Sequence, residues 1–446
     1  MASDLLSIAA SGARAAKAAL DVTSQNIANA STGGYVRRSA TLAEVASSGG
    51  IGRIGDISLS GVRVSGITRN VDAFRQAEVR RTGSDLSRAD AELSGLGNVQ
   101  SALEQTNLYG SITGFEAALL QLTQNPADSS LRANALASTK TMADTFRLAS
   151  SELDSAGQGM QFDASAGVAN VNTMTAELAR TNLQLARAST ASSDQTALLD
   201  KRDQLLQQIS GYAGITATIS PVDGTVKVQA GDASGPVLVD GGNAGTLNMT
   251  TAADGTLNFD VGGAAATLSS GSIAGDGQAL TKLAQVRGDL DTLASSVIGT
   301  VNSAQANGVA LDGSAGQPLL SGTGAADMAL AASDGSAIAT APAGAGANSV
   351  DSSNLTAMIS AVDTASPAGR MNALLFDVSS TIAARTTTRD ALSSIALTAK
   401  QSLDAQAGVD LDTEAANLVR FQQAFQANGK VMQVASTLFD TMLAIR

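Results

Sequence analysis

Both ends of this 446-residue chain carry small or apolar residues at alternating three- and four-residue steps. This heptad spacing is typical of a helix that packs lengthwise on another helix. The N-terminal stripe is narrow and mostly alanine: Leu6, Ala9, Ala13, Ala16, Leu20 and Ile27. The C-terminal stripe uses larger side chains: Leu411, Leu418, Phe421, Phe425, Met432, Ala435, Phe439 and Met442. We predict that the two terminal helices pair in a coiled-coil core, although the same spacing also suits surface helices of a globular core.

Between these stripes the pattern predicts helices around a small β insert. Apolar residues recur at helical spacing over residues 70–106, 129–153, 164–210, 279–301 and 354–400. The period changes to two between residues 215 and 267, where Asp223-Gly224 and Asp254-Gly255 provide turn signals. The sequence therefore predicts an elongated, mainly α protein with nested domains and an inserted small β domain.

The nesting indicates that each layer combines two distant parts of the chain. We expect a terminal coiled-coil domain from residues 1–70 and 398–446, and a helical domain from residues 71–214 and 278–397. Residues 215–277 would form the inserted β domain, and residues 304–348 a Gly/Ala-rich irregular segment.

Composition excludes many kinds of functional site. The chain contains no Cys and no His, so thiol nucleophiles, Cys/His zinc sites and the commonest general base are ruled out. Asp and Glu total 40 against 28 Lys and Arg, and a net charge of -12 disfavours nucleic acid as a partner. The sequence has no run of about 18 apolar residues, so we expect no membrane insertion. The first residues lack the pattern of a cleaved signal peptide. We predict no catalytic residue, no cofactor and no metal.

Two local patterns imitate ligand sites. Residues 50–55 have the glycine spacing of a dinucleotide-binding fingerprint, but the residues after them alternate like a strand instead of starting the required helix. Asp410, Asp412 and Glu414 resemble part of a calcium loop that lacks its turning glycine and its twelfth-position ligand. Acidic residues at a helix start are favoured by the helix dipole. We interpret neither pattern as a binding site.

A family resemblance lies at residues 24–35, which read SQNIANASTGGY. This segment is similar to the N-terminal signature of bacterial flagellar rod, hook and hook-associated proteins, although that signature often has Pro or Ala where Gly33 stands here. Alone, it also suits a polar helix exit. Residues 125–132, 198–205 and 408–428 resemble the hook-associated protein 1 branch, and the likeness fades across the β insert. The matching residues are Asn26, Asn29, Thr32, Gly34, Tyr35, Asp200, Arg202, Asp203, Gln422, Gln423 and Asn428.

The resemblance implies a structural subunit that joins the flagellar hook to the filament, with the stripe residues packing between subunits. Implied partners are the hook protein, a second hook–filament junction protein, further copies in a ring, and a cytosolic export chaperone on the C-terminal helix. The implied location is the extracellular flagellum, after export by the flagellar type III pathway without a cleaved signal peptide. The alternatives are another axial protein of hook or rod type and, from a different class, a secreted adhesin or enzyme using the β insert.

Overall fold

Helices dominate the computed structural model, which describes residues 2–48 and 57–444. In chain order they are α1 (Ala2–Ala28), α2 (Ala73–Glu104), α3 (Leu108–Leu122), α4 (Ser129–Leu185), α5 (Ser193–Tyr212), α6 (Ser272–Ala306), α7 (Ser353–Ala365), α8 (Pro367–Ala407) and α9 (Leu411–Ala444). The prediction of a mainly α chain with a small β insert and paired terminal helices is confirmed. The expected boundary between residues 397 and 398 falls inside α8.

The strands pair in antiparallel orientation, and all except the first two are short. They are β1 (Arg38–Ser48), β2 (Ile57–Arg69), β3 (Ile215–Ile219), β4 (Val226–Ala230), β5 (Val237–Asp240), β6 (Asn243–Ala244), β7 (Leu247–Thr251), β8 (Leu257–Val261), β9 (Ala264–Ala266), β10 (Gly308–Val309), β11 (Leu320–Ser321), β12 (Ala329–Leu330) and β13 (Ala341–Pro342). The first two form a hairpin, β3 to β6 form one sheet in sequence order, and β7 to β9 form another. Two-residue pairs join β10 to β13 and β11 to β12.

Side-chain caps set several helix starts. Asp128 caps α4 because its Oδ1 accepts hydrogen bonds from the backbone N–H groups of Ser130 and Leu131, both at 2.9 Å. Asp72 caps α2 in the same way. Ser192 accepts from the N–H of Gln195 at 3.0 Å and so starts α5.

Helix α4 begins where the sequence predicts but differs from the prediction in its middle and at its C-terminal end. It runs unbroken through residues 154–163, which were expected to interrupt it, for 57 residues or roughly 86 Å. The apolar pattern does not reveal this continuous helix because Gly157 occupies a buried position on it. A Cβ at Gly157 would lie 2.8 Å from Leu283 Cδ2 on α6. The predicted single helix over 164–210 is wrong, because the chain turns at Ala191 (φ 59°) and restarts at the Ser192 cap.

Two apolar clusters form the core. The larger one gathers residues of α2, α3, α4, α6, α7 and α8, and the smaller one joins the later half of α4 and α5 to the β insert. Helices α2 and α6 cross closely: a Cβ at Gly275 would lie 2.2 Å from the carbonyl oxygen of Arg88, and one at Gly95 would lie 2.5 Å from Ala279 Cβ. Small residues at this crossing therefore let the two backbones touch.

The Gly/Ala-rich residues 304–348 are anchored by one buried guanidinium. Arg132, on α4, donates from Nη1 to the carbonyl oxygen of Ile338 at 2.8 Å and from Nη2 to Thr340 Oγ1 at 2.8 Å. The same nitrogen Nη1 also reaches the carbonyl oxygen of Gly335 at 3.1 Å. Leu319, Leu320, Met328 and Ile338 of this segment lie in the larger core cluster. Irregular backbone is thus fixed by a charged donor and an apolar anchor together.

A buried carboxyl group lies near the start of α6, in its second turn. Asp276 is 8% exposed, and burial together with the charge of Asp163 on α4 raises its pKa to about 7. In the unfolded chain an Asp releases its proton near pH 4. Between about pH 4 and 7 the folded chain holds a proton that the unfolded chain has lost, so stability falls as the pH rises through this window.

We expect Asp276→Asn to remove this pH dependence. At pH 8 the variant should exceed the wild type in free energy of unfolding by roughly 1–4 kcal/mol, and near pH 4 the two should be similar. Urea denaturation at both pH values measures the difference. Asp289→Asn, on the same helix, is the control. An equal effect of Asp276→Asn at pH 4 and pH 8 would contradict the assignment.

Candidate assembly surface on the paired terminal helices

Helices α1 and α9 pack against each other in antiparallel orientation. Gly12 in the first half of α1 faces Asn428 in the second half of α9, and a Cβ on that glycine would lie 2.4 Å from Asn428 Oδ1. The Asn428 amide is held by a 2.8 Å hydrogen bond from Nδ2 to the carbonyl oxygen of Ala424. Toward the other end, Arg37 Nε lies 2.6 Å from Glu414 Oε1. The two ends of the chain are therefore tied along the length of both helices.

The predicted N-terminal stripe divides in the structure. Ala9, Ala13 and Ala16 are buried, Leu20 and Ile27 are half-buried, and Leu6 is exposed. Buried apolar residues of α1 that the stripe did not include are Ala15, Ala19 and Val22. These residues are buried because α1 packs on the β1–β2 hairpin as well as on α9, so its buried face is wider than one helix–helix seam. Their own three- and four-residue spacing was the available signal.

The predicted C-terminal stripe is only partly covered. Ala435 is buried, and Leu418, Phe421 and Met432 are half-buried. Leu411, Phe425 and Phe439 remain 53%, 44% and 53% exposed. Gln422 and Gln423 are exposed and Asn428 is half-buried, whereas the side chain of Met442 and the residues 50–55 lie outside the described part. Pairing with α1 therefore leaves the largest side chains of α9 accessible.

Exposed apolar side chains accumulate on this helix pair, and we call them the terminal apolar surface. Its residues are Leu5, Leu6 and Ile8 on α1, and Leu411, Val419, Phe425, Val431, Val434, Leu438 and Phe439 on α9. Single exposed apolar residues are ordinary, but a group of this size on one pair of helices is typical of an interaction surface.

Asn26 joins the end of α1 to the β hairpin. Its buried side-chain amide makes the two hydrogen bonds that a paired strand residue would make with Arg38. Nδ2 donates to the Arg38 carbonyl oxygen at 2.8 Å, and Oδ1 accepts from the Arg38 N–H at 3.0 Å. The Tyr35 hydroxyl donates to the same Oδ1 at 2.9 Å. This signature residue thus fixes the direction in which the chain leaves α1.

The other signature residues of this segment build the turn between α1 and β1. Asn29 Nδ2 donates to the carbonyl oxygen of Gln25 at 2.9 Å, and the Thr32 N–H donates to the carbonyl oxygen of Asn29 at 2.9 Å. Gly34 has φ 80°, a left-handed conformation that favours glycine. A polar turn that contains Gly33 and Gly34 therefore follows the end of α1.

A buried ion-pair node connects the hairpin to the helical body. Arg38 Nη2 lies 2.6 Å from Asp200 Oδ2, and Arg69 lies between two carboxylates, with Nε 2.8 Å from Asp200 Oδ1 and Nη2 2.7 Å from Asp203 Oδ2. Arg202 Nη2 lies 2.5 Å from Asp203 Oδ1. The signature residues Asp200, Arg202 and Asp203 thus share one cluster, whose partners stand more than 130 residues away in the chain.

The pKa values of the two carboxyl groups in the node are shifted in opposite directions. Burial raises the pKa of Asp200 above its ordinary value, and Arg69 and Arg38 offset only part of that rise. Burial also raises the pKa of Asp203, but Arg202 and Arg69 outweigh it and hold the pKa below its ordinary value. Asp203 is therefore the firmly ionised member of the pair.

The acidic residues at the start of α9 serve the fold. Asp410 Oδ1 accepts hydrogen bonds from the N–H groups of Asp412 at 2.9 Å and Thr413 at 3.2 Å, so it caps the helix. Glu414 is buried against Arg37. In the described ranges no group of three metal-ligating side chains comes together, and none of the helices there is apolar over the length that a bilayer requires.

The geometry defines a class of protein, a nested and mainly helical chain whose two ends pair. The family model "Flagellar hook-associated protein FlgK helical domain" matches residues 93–320, about half of the chain. The chain belongs to this family of flagellar hook-associated proteins, and the resemblance stated from the sequence is confirmed. Two further models match its ends: "Flagella basal body rod protein" at residues 6–35 and "Flagellar basal body rod FlgEFG protein C-terminal" at residues 400–445.

Relatives named flagellar hook-associated protein 1 match different shares of the chain. The Salmonella typhimurium protein is 29% identical over 250 residues, which cover 55% of this chain and 44% of that protein. This alignment therefore spans less than half the length of that relative. The Bacillus subtilis protein is 22% identical over 96% of this chain and 95% of its own. The solved flagellar hook junction protein FlgK of Burkholderia pseudomallei is 23% identical, with a TM-score of 0.45 over 54% of this chain and 46% of its own.

We expect Asn26→Ala to loosen the hairpin. The change leaves the N–H and carbonyl groups of Arg38 buried without partners and should cost about 2–4 kcal/mol of stability. Hydrogen exchange should accelerate across residues 38–48 and 57–69. Asn29→Ala, whose hydrogen bond is exposed, is the control and should change stability by less than about 1 kcal/mol. Unchanged exchange in the Asn26 variant would argue against this role.

Proposed function

We propose that this protein is a structural subunit of the bacterial flagellum at the junction of hook and filament. The terminal apolar surface is the observation that carries the proposal. The chain uses small residues to pair its own ends, and this leaves Phe425 and Phe439 uncovered. Burial of such side chains against neighbouring subunits would stabilise an assembly by roughly 1.5–3 kcal/mol for each one fully buried.

The proposed partners are the hook protein, a second junction protein and further copies of this chain in a ring. The proposed location is the extracellular flagellum, reached through the flagellar type III export pathway. A junction role is favoured over a hook or rod role by the interior match, because the model that covers residues 93–320 is that of the FlgK helical domain. The end matches alone, to rod protein models, would not separate these roles.

The proposed work is mechanical and needs no catalysis. The buried ion-pair node and the Asn26 bonds hold the hairpin to both the terminal helices and the helical body. Force that enters at the terminal pair would therefore reach the body through several short connections at once. Such a linkage suits a subunit that stands between two tubes of different stiffness.

We expect the double variant Phe425→Asp/Phe439→Asp to abolish swimming. Both side chains are exposed in the single chain, so the monomer should fold normally, with its Tm within about 2 °C of the wild type. In the assembly the same charges would be desolvated, at a cost of several kcal/mol. A soft-agar motility assay, with circular dichroism of the purified monomer, measures both effects.

The matched control is Phe162→Asp/Phe376→Asp. These phenylalanines are 74% and 72% exposed on α4 and α8, away from the terminal pair. The control makes the same chemical change and should leave swimming intact. Normal swimming of the Phe425/Phe439 variant, or an equal loss in the control, would contradict the proposed surface.

A cytosolic export chaperone on α9 is part of the same proposal. An unassembled subunit exposes Val434, Leu438 and Phe439, and such a surface promotes premature association unless it is covered. A groove that accepts the apolar face of a helix would cover it.

We expect a chain that ends at Ala407 to lose the chaperone, because the truncation removes α9 and leaves α8 whole. A pull-down that compares this chain with the intact protein and with the Phe425→Asp/Phe439→Asp variant measures the loss. Recovery should fall at least tenfold with the truncated chain and partly with the double variant. Equal recovery with the intact and truncated chains would place the chaperone elsewhere.

A further inference from the structure

A pocket of about 520 Å³ lies where the terminal helices meet the helical body. Its walls come from residues 33–36 after α1, from α2, from α5 and from the end of α8 with the link to α9. These are the segments through which the chain passes between the terminal pair and the body. A ligand held here would touch all of them.

Arg80 of α2 lines this pocket without a close partner. Its side chain is more than nine-tenths buried, yet within the described residues it makes no hydrogen bond and no ion pair within 4.0 Å. The nearby carboxylate that attracts it, Asp203, is already engaged by Arg69, Arg202 and Gln76. None of its guanidinium nitrogens is among the fully buried polar atoms that lack a partner, so they are accessible from the pocket and free to donate to a ligand.

Positive groups outnumber negative groups around Arg80. The guanidiniums of Arg38, Arg69, Arg80 and Arg202 surround the two carboxylates of Asp200 and Asp203. Full ionisation therefore leaves two positive charges in surplus, and burial lowers the pKa of Arg80. Asp404, which also lines the pocket, is paired with Lys400 at 3.4 Å on the exposed side. The site lacks an anion.

We propose that this pocket is an oxyanion site in which the Arg80 guanidinium binds the carboxylate or phosphate group of a ligand. The planar fork of an arginine suits the paired oxygens of both groups. Gln204 and Gln208 also line the pocket, and their side chains make no hydrogen bond within the described ranges, so their amide groups are available as further donors.

Two sources can supply this group. One is dissolved phosphate, and the other is an Asp or Glu side chain of a second copy of this chain, which carries 40 acidic residues. In both cases the bound anion would join α2, α5 and α8 and so stiffen the connection between the terminal helices and the body. The site is independent of the proposed junction role, because the purified monomer can bind phosphate whether or not the protein stands at the junction.

The first arm of the test uses inorganic phosphate with the purified full chain. Thermal unfolding is followed against sodium phosphate, with sodium chloride at matched ionic strength as the reference. The wild type should show a Tm that rises and saturates with phosphate. Arg80→Met should lose at least four-fifths of that rise. Arg81→Gln, the adjacent exposed arginine, removes the same charge and should keep the full rise.

The second arm measures self-association of the same proteins by sedimentation velocity. A carboxylate from a second copy predicts that Arg80→Met weakens association at least fivefold, that Arg81→Gln does not, and that phosphate competes with association. A phosphate effect without this dependence assigns the site to the dissolved anion. If neither the Tm rise nor the association depends on Arg80, the proposal is overturned.

Arg80→Lys covers the case in which the Met variant does not fold. It keeps the positive charge but loses the two-pronged donor, so phosphate should bind at least threefold more weakly than to the wild type. An unchanged phosphate affinity and unchanged association in this variant would equally overturn the proposal.

Discussion

The structure depends on the close approach of α1 and α9. Alanines and Gly12 line the seam, and Gly12 leaves no room for a Cβ beside Asn428. Small side chains allow helices to approach closely but bury little apolar area, so the pairing alone is weak. Additional contacts support it: the hairpin covers a second face of α1, and Arg37 holds Glu414 at the start of α9. The same geometry leaves Phe425 and Phe439 of α9 only partly covered, at 44% and 53% exposed.

The ion-pair node sets how the paired ends meet the helical body. Arg69 lies between Asp200 and Asp203, so hairpin and helix α5 cannot separate without exposing several charges. Removing one partner of such a buried group typically costs about 3–5 kcal/mol. A node of this kind contributes orientation more than net stability, since desolvation offsets much of the Coulomb attraction. Arg80, which has no close partner, lies beside the node, and the anion that we propose for it would balance the positive charges there.

Periodicity predicted the main features of the fold, because terminal helix pairing and the β insert each leave a regular pattern of apolar residues. It failed for residues 154–163 of α4, where Gly157 occupies a buried position that hydrophobicity cannot mark. The ion-pair node could not be predicted from the sequence, because Arg38 and Asp200 are brought together only by tertiary folding. A heptad stripe also does not tell which members pack within the chain. Phe421 is half-buried and Phe425 is exposed, although both occupy the same predicted stripe.

Phe425 and Phe439 of α9 are accessible in the single chain, and we propose that they are buried in the flagellum. Because the sequence contains no Cys, a single introduced thiol reports on one position without background. The decisive measurement is the maleimide labelling rate of Phe439→Cys in the purified monomer and in isolated flagella, with Val222→Cys in an exposed turn of the β insert as reference. We expect at least tenfold slower labelling of residue 439 in flagella than in the monomer, and an unchanged rate at residue 222. Equally fast labelling of residue 439 in both states would contradict it.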